Sequence, residues 1–107
     1  NPQTAKEIIM SIPLRIKKDK EENYSTAFQF DISGENGRQY TLTVVNGDAK
    51  IEEGLAGTPE CIVTTDAKVY EDIELGRMDP TMAFMGGQIR VTNIGAMMQF
   101  AKFFHRI

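Results

Sequence analysis

An α+β domain is the fold class this chain predicts, and three observations predict it. Period-two apolar alternation occupies its middle, and patterns with helical spacing and capping residues flank that middle. Asn46-Gly47, a strong hairpin signal, joins two of the alternating runs. At 107 residues the chain reads as one domain over 1–107.

Thr4 and Glu7 have the spacing of a capping box and open a short helix through Ile8, Ile9 and Ile12 that ends near Pro13. Residues 17–24 are polar and irregular. Phe28, Phe30 and Ile32 then alternate with polar or small residues, placing all three on one face of a sheet. Residues 34–37 form a turn. Tyr40, Leu42 and Val44 alternate in a second strand, and after Asn46-Gly47 the segment Lys50-Ile51-Glu52 makes a third, more exposed one. Residues 55–59 are a loop, and Glu60 to Thr65 is a β-branched fourth strand.

The period changes next. Asp66 caps a helix carrying Val69, Tyr70, Ile73 and Leu75, and Gly76 stops it. Asp79-Pro80 opens a second short helix, with Pro at the first helical position, which ends at Gly86-Gly87. Gln88 to Thr92 is a fifth strand, and a last helix runs from about Ile94 to the end. The order α–β–β–β–β–α–α–β–α segregates helices around a mostly antiparallel sheet, with one strand added after a helical crossover.

Composition narrows the function classes. Apolar residues make up 41% and charged residues 25%, with a mean hydropathy of −0.30, ordinary for a globular domain. No apolar run reaches the ~18 residues of a membrane span. One Cys excludes an internal disulfide, and one Cys with one His excludes a protein-only tetrahedral zinc site. Net charge is −3, unevenly spread: residues 1–20 carry +3, residues 21–79 carry −9 and residues 80–107 carry +3. The acidic middle argues against nucleic acid as a partner. Arg15, Lys17, Lys18 and Lys20 are the basic cluster, read as a solvated loop or as a weak patch for transient contact with an anionic membrane. No signal peptide is visible, so a cytoplasmic location is the default expectation.

Catalytic chemistry is thin. His105, the only His, lies in a fraying C-terminus, and Cys61 sits mid-strand far from it in sequence. Ser11, Ser25 and Ser33 lack a nucleophile-elbow context, and no phosphate-binding glycine loop is present. Asp31, Glu35, Asp48, Glu52, Glu53 and Glu60 fall on strand edges and turns, where solubility explains them. The chain reads as non-enzymatic, and no cofactor is implied.

The positive signal is surplus apolar surface. Five of the six Met lie between Met78 and Met98. On a helical wheel starting at Ile94 the apolar arc of the last helix covers about 220°, whereas docking on one sheet needs roughly 100°. Tighter wrapping in the same chain, a second protein surface or an apolar ligand would each cover the excess. Met97 and Met98 suit a tolerant apolar contact, because Met is flexible and polarizable.

From Glu60 onward the chain resembles the sterol carrier protein 2 family, or nonspecific lipid-transfer proteins. The carrying residues are Cys61-Ile62-Val63-Thr64-Thr65, Leu75-Gly76-Arg77-Met78-Asp79-Pro80, Ala83-Phe84-Met85 with Gly87, and Ile89-Arg90-Val91. Phe28–Ser33 and Tyr40–Gly47 fit the family's first two strands, so the resemblance covers about residues 5–104. It implies a five-stranded sheet with helices on one face and an apolar tunnel between them. It also implies binding and transfer of fatty acid, acyl-CoA or similar lipids. The residues expected to line the tunnel are Phe28, Phe30, Leu42, Ile73, Leu75, Phe84, Met85, Ile89, Val91, Met97, Met98, Ala101 and Phe104. Val91-Thr92-Asn93-Ile94-Gly95 is one residue shorter than the family's turn and lacks its Gly, which predicts a different mouth. The absence of a peroxisomal address at the end implies a bacterial or archaeal stand-alone type. The rival reading is an interaction module, in which Ala96, Phe100, Phe103 and Ile107 present the last helix to a homodimer mate or a partner enzyme.

Overall fold

The computed structural model describes residues 1–17 and 23–107. Five strands form one mixed sheet: β1 (Thr26–Ser33), β2 (Gln39–Val45), β3 (Asp48–Glu53), β4 (Cys61–Asp66) and β5 (Ile89–Val91). Their order is β3-β2-β1-β4-β5. Among the described residues only β1 and β4 run parallel; the other three pairings are antiparallel.

Register explains which face is buried. Phe28 lies opposite Leu42 and Cys61, and Phe30 lies opposite Tyr40 and Val63. Period-two alternation therefore puts Phe28, Phe30, Ile32, Tyr40, Leu42, Val44, Cys61 and Val63 on one face, and all are buried. The hairpin turn takes the backbone its residues permit: φ is 49° at Asn46 and 84° at Gly47.

The helices cover that apolar face. They are α1 (Ala5–Met10), α2 (Ala67–Glu74), α3 (Pro80–Met85) and α4 (Ile94–Phe103). The capping box at Thr4 is formed in both directions, and Asp66 and Asp79 accept from the first turns of α2 and α3. α1 packs on α2, α2 on β1 and β4, α3 on β5, and α4 on β4. Ile8 and Ile9 of α1 are completely buried.

Strand ends shift by a residue or two, and the larger departures from expectation are at two helix ends. The first helix stops at Met10, and Pro13 sits inside a separate 3-10 turn, Ile12–Arg15. Proline lacks the N–H needed to continue an α-helix. The last helix ends at Phe103 instead of running to Ile107. Phe104 is extended, with φ −123° and ψ 137°, and forms an antiparallel bridge to Ile16. The Lys17 N–H donates to the Phe103 carbonyl at 2.7 Å, and the His105 N–H donates to the Arg15 carbonyl at 2.6 Å. These bonds, with burial of the Phe104 ring, outweigh one more helical turn. Arg15 is consequently no member of a solvated loop. Its guanidinium donates to Ser11 Oγ and to the carbonyls of Ile8 and His105. Lys18 and Lys20 lie outside the described residues.

Candidate functional site

The helix-bearing face of the sheet is the candidate site, and an aromatic lane crosses it. Phe104 stacks on Phe100 with centroids 4.4 Å apart, Phe100 meets Phe28 at 5.2 Å, Phe28 meets Phe30 at 6.2 Å, and Phe30 meets Tyr70 edge-on at 6.3 Å. Tyr24 extends the lane, lying flat against Phe103 at 4.0 Å. Offset-stacked and edge-on pairs of this kind add roughly 0.5–1.5 kcal/mol each beyond the area they bury.

The expected lining residues divide into three groups. Phe28, Phe30, Leu42, Ile73 and Phe104 are buried. Leu75, Ile89, Val91 and Met97 are half-buried against the same core. Phe84, Met85, Met98 and Ala101 are exposed, Met85 by 80% and Met98 by 62%. Side chains fill the face, and the expected apolar tunnel is not seen among the described residues. Two polar hollows lie away from that layer. One, of about 200 Å³, is bounded by Thr41, Thr43, Glu52, Glu53, Gly54, Ala56 and Gly57; the other, wider, follows the turn after β1.

α4 faces the sheet with a different side from the one expected. Ala96, Phe100 and Phe103, assigned by the rival reading to an outer partner surface, turn inward. Ile94, Met98 and Ala101 turn outward. Of the apolar arc, the two large Phe rings take the sheet.

A patch of soft apolar surface results. Met82, Phe84 and Met85 precede β5, and Ile94 and Met98 follow it; all five are exposed. The three-residue edge strand β5 separates the two groups along the chain. Between them Ile89 and Val91, opposite Thr65 and Val63, lie half-covered on the helix-bearing face. A single capping residue aims α4 across this edge. Asn93 Oδ1 accepts from the Ala96 N–H at 3.0 Å, and its Nδ2 donates to the Glu60 carbonyl at 3.2 Å. Thr92 fastens the strand end, since its Oγ1 accepts from the Ile62 N–H at 2.8 Å. The shortened turn thus works without the glycine.

Polar chemistry is sparse on this face. The hydroxyls of Tyr24 and Tyr40 are buried with no hydrogen-bond partner among the described residues. Burial pushes both phenols up, helped by Glu60 beside Tyr24 and Glu53 beside Tyr40. Burial likewise pushes up the thiol of Cys61. No group of three or more His, Cys, Asp or Glu suited to a metal ion occurs among the described residues, and no described helix is long and apolar enough to cross a membrane. The unpartnered tyrosine hydroxyls were missed in the sequence, because only burial distinguishes them from satisfied ones.

Comparison with known proteins follows the same lines. The sequence profile of the SCP-2 sterol transfer family matches residues 6–105. Hydroxysteroid dehydrogenase-like protein 2 from Xenopus tropicalis is 31% identical over 65 residues, which are 60% of this chain and 16% of that protein. Among solved structures, palmitated SCP2L2 from Aedes aegypti is similar with a TM-score of 0.67, at 16% identity over 94% of each chain. The sec-alkylsulfatase Pisa1 from Pseudomonas sp. is similar with a TM-score of 0.78, at 14% identity over 94% of this chain and 16% of that one. The chain therefore spans a small part of the dehydrogenase-like relative and of the sulfatase, and nearly the whole of the insect protein.

Proposed function

Because the chain belongs to the SCP-2 sterol transfer family, we propose that it binds and transfers lipids, non-enzymatically, between the sheet and its helices. Fatty acid, acyl-CoA or a similar single-chain amphiphile is the proposed ligand class. The observation that carries this reading is the soft apolar patch beside a half-covered sheet edge, with Phe84, Met85 and Met98 exposed around Ile89 and Val91. Isolated apolar side chains at a surface are ordinary, but five large exposed ones carried on α3 and α4, on either side of the edge strand β5, favour an apolar partner. In the proposed complex Phe28, Phe30, Leu42, Ile73, Leu75 and Phe104 form the floor, and Met97 and Ala101 with the exposed residues form the mouth. The driving force is removal of the acyl chain from water, about 0.8 kcal/mol per buried CH₂. The filled interior requires Phe100 and Phe104 to yield as the chain enters, which Met-rich, flexible surroundings favour. Transfer proceeds with transient contact at a membrane surface in the cytoplasm.

The test is direct. The purified protein is denatured and extracted, and copurified lipid is sought by mass spectrometry, alongside titration with a fluorescent fatty acid. Copurified lipid and saturable micromolar binding support the reading; absence of both sinks it. A second reading has one observation in its favour. The outward stripe of Ile94, Met98 and Ala101 suits a homodimer or a larger enzyme to which such a domain is attached. Concentration-dependent mass in the absence of lipid would favour it.

A further inference from the structure

We infer that the Tyr24 hydroxyl is the polar anchor of the lipid site, and that it selects ligands whose head carries an uncharged hydrogen-bond acceptor such as an ester carbonyl. This rests on the carrier reading above and adds to it a residue and a chemical preference.

Tyr24 is only 7% exposed, and its hydroxyl has no partner among the described residues. A buried, unsatisfied hydroxyl is costly, so a site that keeps one needs a reason. Its surroundings are apolar: the ring is held between Phe103, at 4.0 Å, and Phe104, edge-on at 6.2 Å. Its main chain is fixed, because the Gly47 N–H donates to the Tyr24 carbonyl at 2.9 Å. Tyr24 is therefore a rigidly placed donor within the same layer that must open for an acyl chain, next to Phe104, which stacks on Phe100.

The burial of the hydroxyl among aromatic rings sets the kind of head. Glu60 is close enough to disfavour ionisation of the phenol. An ester or thioester carbonyl gains a hydrogen bond from the neutral phenol in this dry setting without bringing a charge into it. Tyr40, the other unpartnered hydroxyl, does not share this setting. It lies on β2 opposite Glu53, with Arg38 also acting on it.

The experiment uses the whole chain and two probes, a pyrene-labelled long-chain methyl ester and the matching pyrene-labelled alkane. The wild type, Tyr24→Phe and Tyr40→Phe are titrated with each. In Tyr24→Phe the ratio of ester to alkane affinity falls by about 2- to 10-fold, the yield of one net hydrogen bond; in Tyr40→Phe it does not change. Independently of any variant, the infrared carbonyl band of a ¹³C-labelled ester bound to the wild type is shifted to lower wavenumber relative to the same ester in hexane. An unchanged ratio in Tyr24→Phe, a loss in Tyr40→Phe instead, or an unshifted carbonyl band overturns the anchor while leaving the carrier reading standing. Failure of the wild type to bind either probe overturns both.

Discussion

Phe104 and Ile16, 88 residues apart in sequence, pair as an antiparallel bridge that fastens the end of α4 to the segment after the first helices. Their side chains are 3% and 7% exposed. Phe104→Ala deletes the stack on Phe100 and leaves a hole in the core, so unfolding free energy falls by about 3–5 kcal/mol. Urea unfolding followed by far-UV circular dichroism measures it; a loss under 1 kcal/mol would show that the Phe104 ring contributes little.

Asn93 does two jobs with one side chain, capping α4 and holding the Glu60 carbonyl. Asn93→Ala is expected to lower stability by about 1 kcal/mol, while Asn93→Asp, which keeps the cap and loses the donor, costs less. Equal effects of the two variants would assign the whole contribution to the Glu60 bond.

Met98 is 62% exposed, so Met98→Lys folds within about 0.5 kcal/mol of the wild type. Under the proposed function it places a charge against the acyl chain and weakens binding of an uncharged long-chain ester at least tenfold. Unchanged affinity in a folded variant removes Met98 from the site.

Cys61 is completely buried and its thiol is pushed up by desolvation. A thiolate-selective reagent such as a disulfide dye is expected to react with the native protein only at the rate of opening. Immediate stoichiometric labelling without denaturant would contradict the burial.

Acid and alkaline limbs of stability have separate origins. The hydrogen bonds that Lys68 and Arg77 donate to Asp72, each 2.9 Å, hold its carboxyl below the usual range. A lowered native value means a contribution present above the unfolded value of about 3.9 and lost as pH falls through the native one. Asp72→Asn should flatten that limb. Tyr24, Tyr40 and Tyr70 are shifted upward by burial, so their contribution is complete below about pH 10 and is lost as pH rises past it, where the unfolded chain ionises first. Tyr24→Phe should extend stability to higher pH; an unaltered alkaline midpoint would count against burial of that hydroxyl.

Local signals were legible. The alternation of Phe28, Phe30 and Ile32 with that of Tyr40, Leu42 and Val44 identified the buried face, since period two leaves no other choice. Thr4, Asp66 and Asp79 marked three helix starts, because caps are written in one or two residues. What depends on distant partners was not legible. The stop at Phe103 is decided by Ile16, and the direction of α4 by competition between Phe100 and Met98 for the sheet. The parallel pairing of β1 with β4 likewise leaves no local trace. Of the candidate site, the soft patch was readable as excess apolar arc, whereas the unpartnered Tyr24 hydroxyl needed three-dimensional burial to be noticed.

That parallel seam also bears on how the chain finds its shape. The β1–β2–β3 meander closes through short turns, but Phe28 must meet Cys61 across 33 residues before α2 and α4 have a surface to lie on. Loop closure over that span comes before its reward, so the seam is the expected kinetic bottleneck. Val63→Ala, which thins the seam, should slow refolding, whereas Ala49→Gly, on the peripheral β3, should act mainly by speeding unfolding. Stopped-flow chevrons of the two variants would display the difference as movement of opposite limbs.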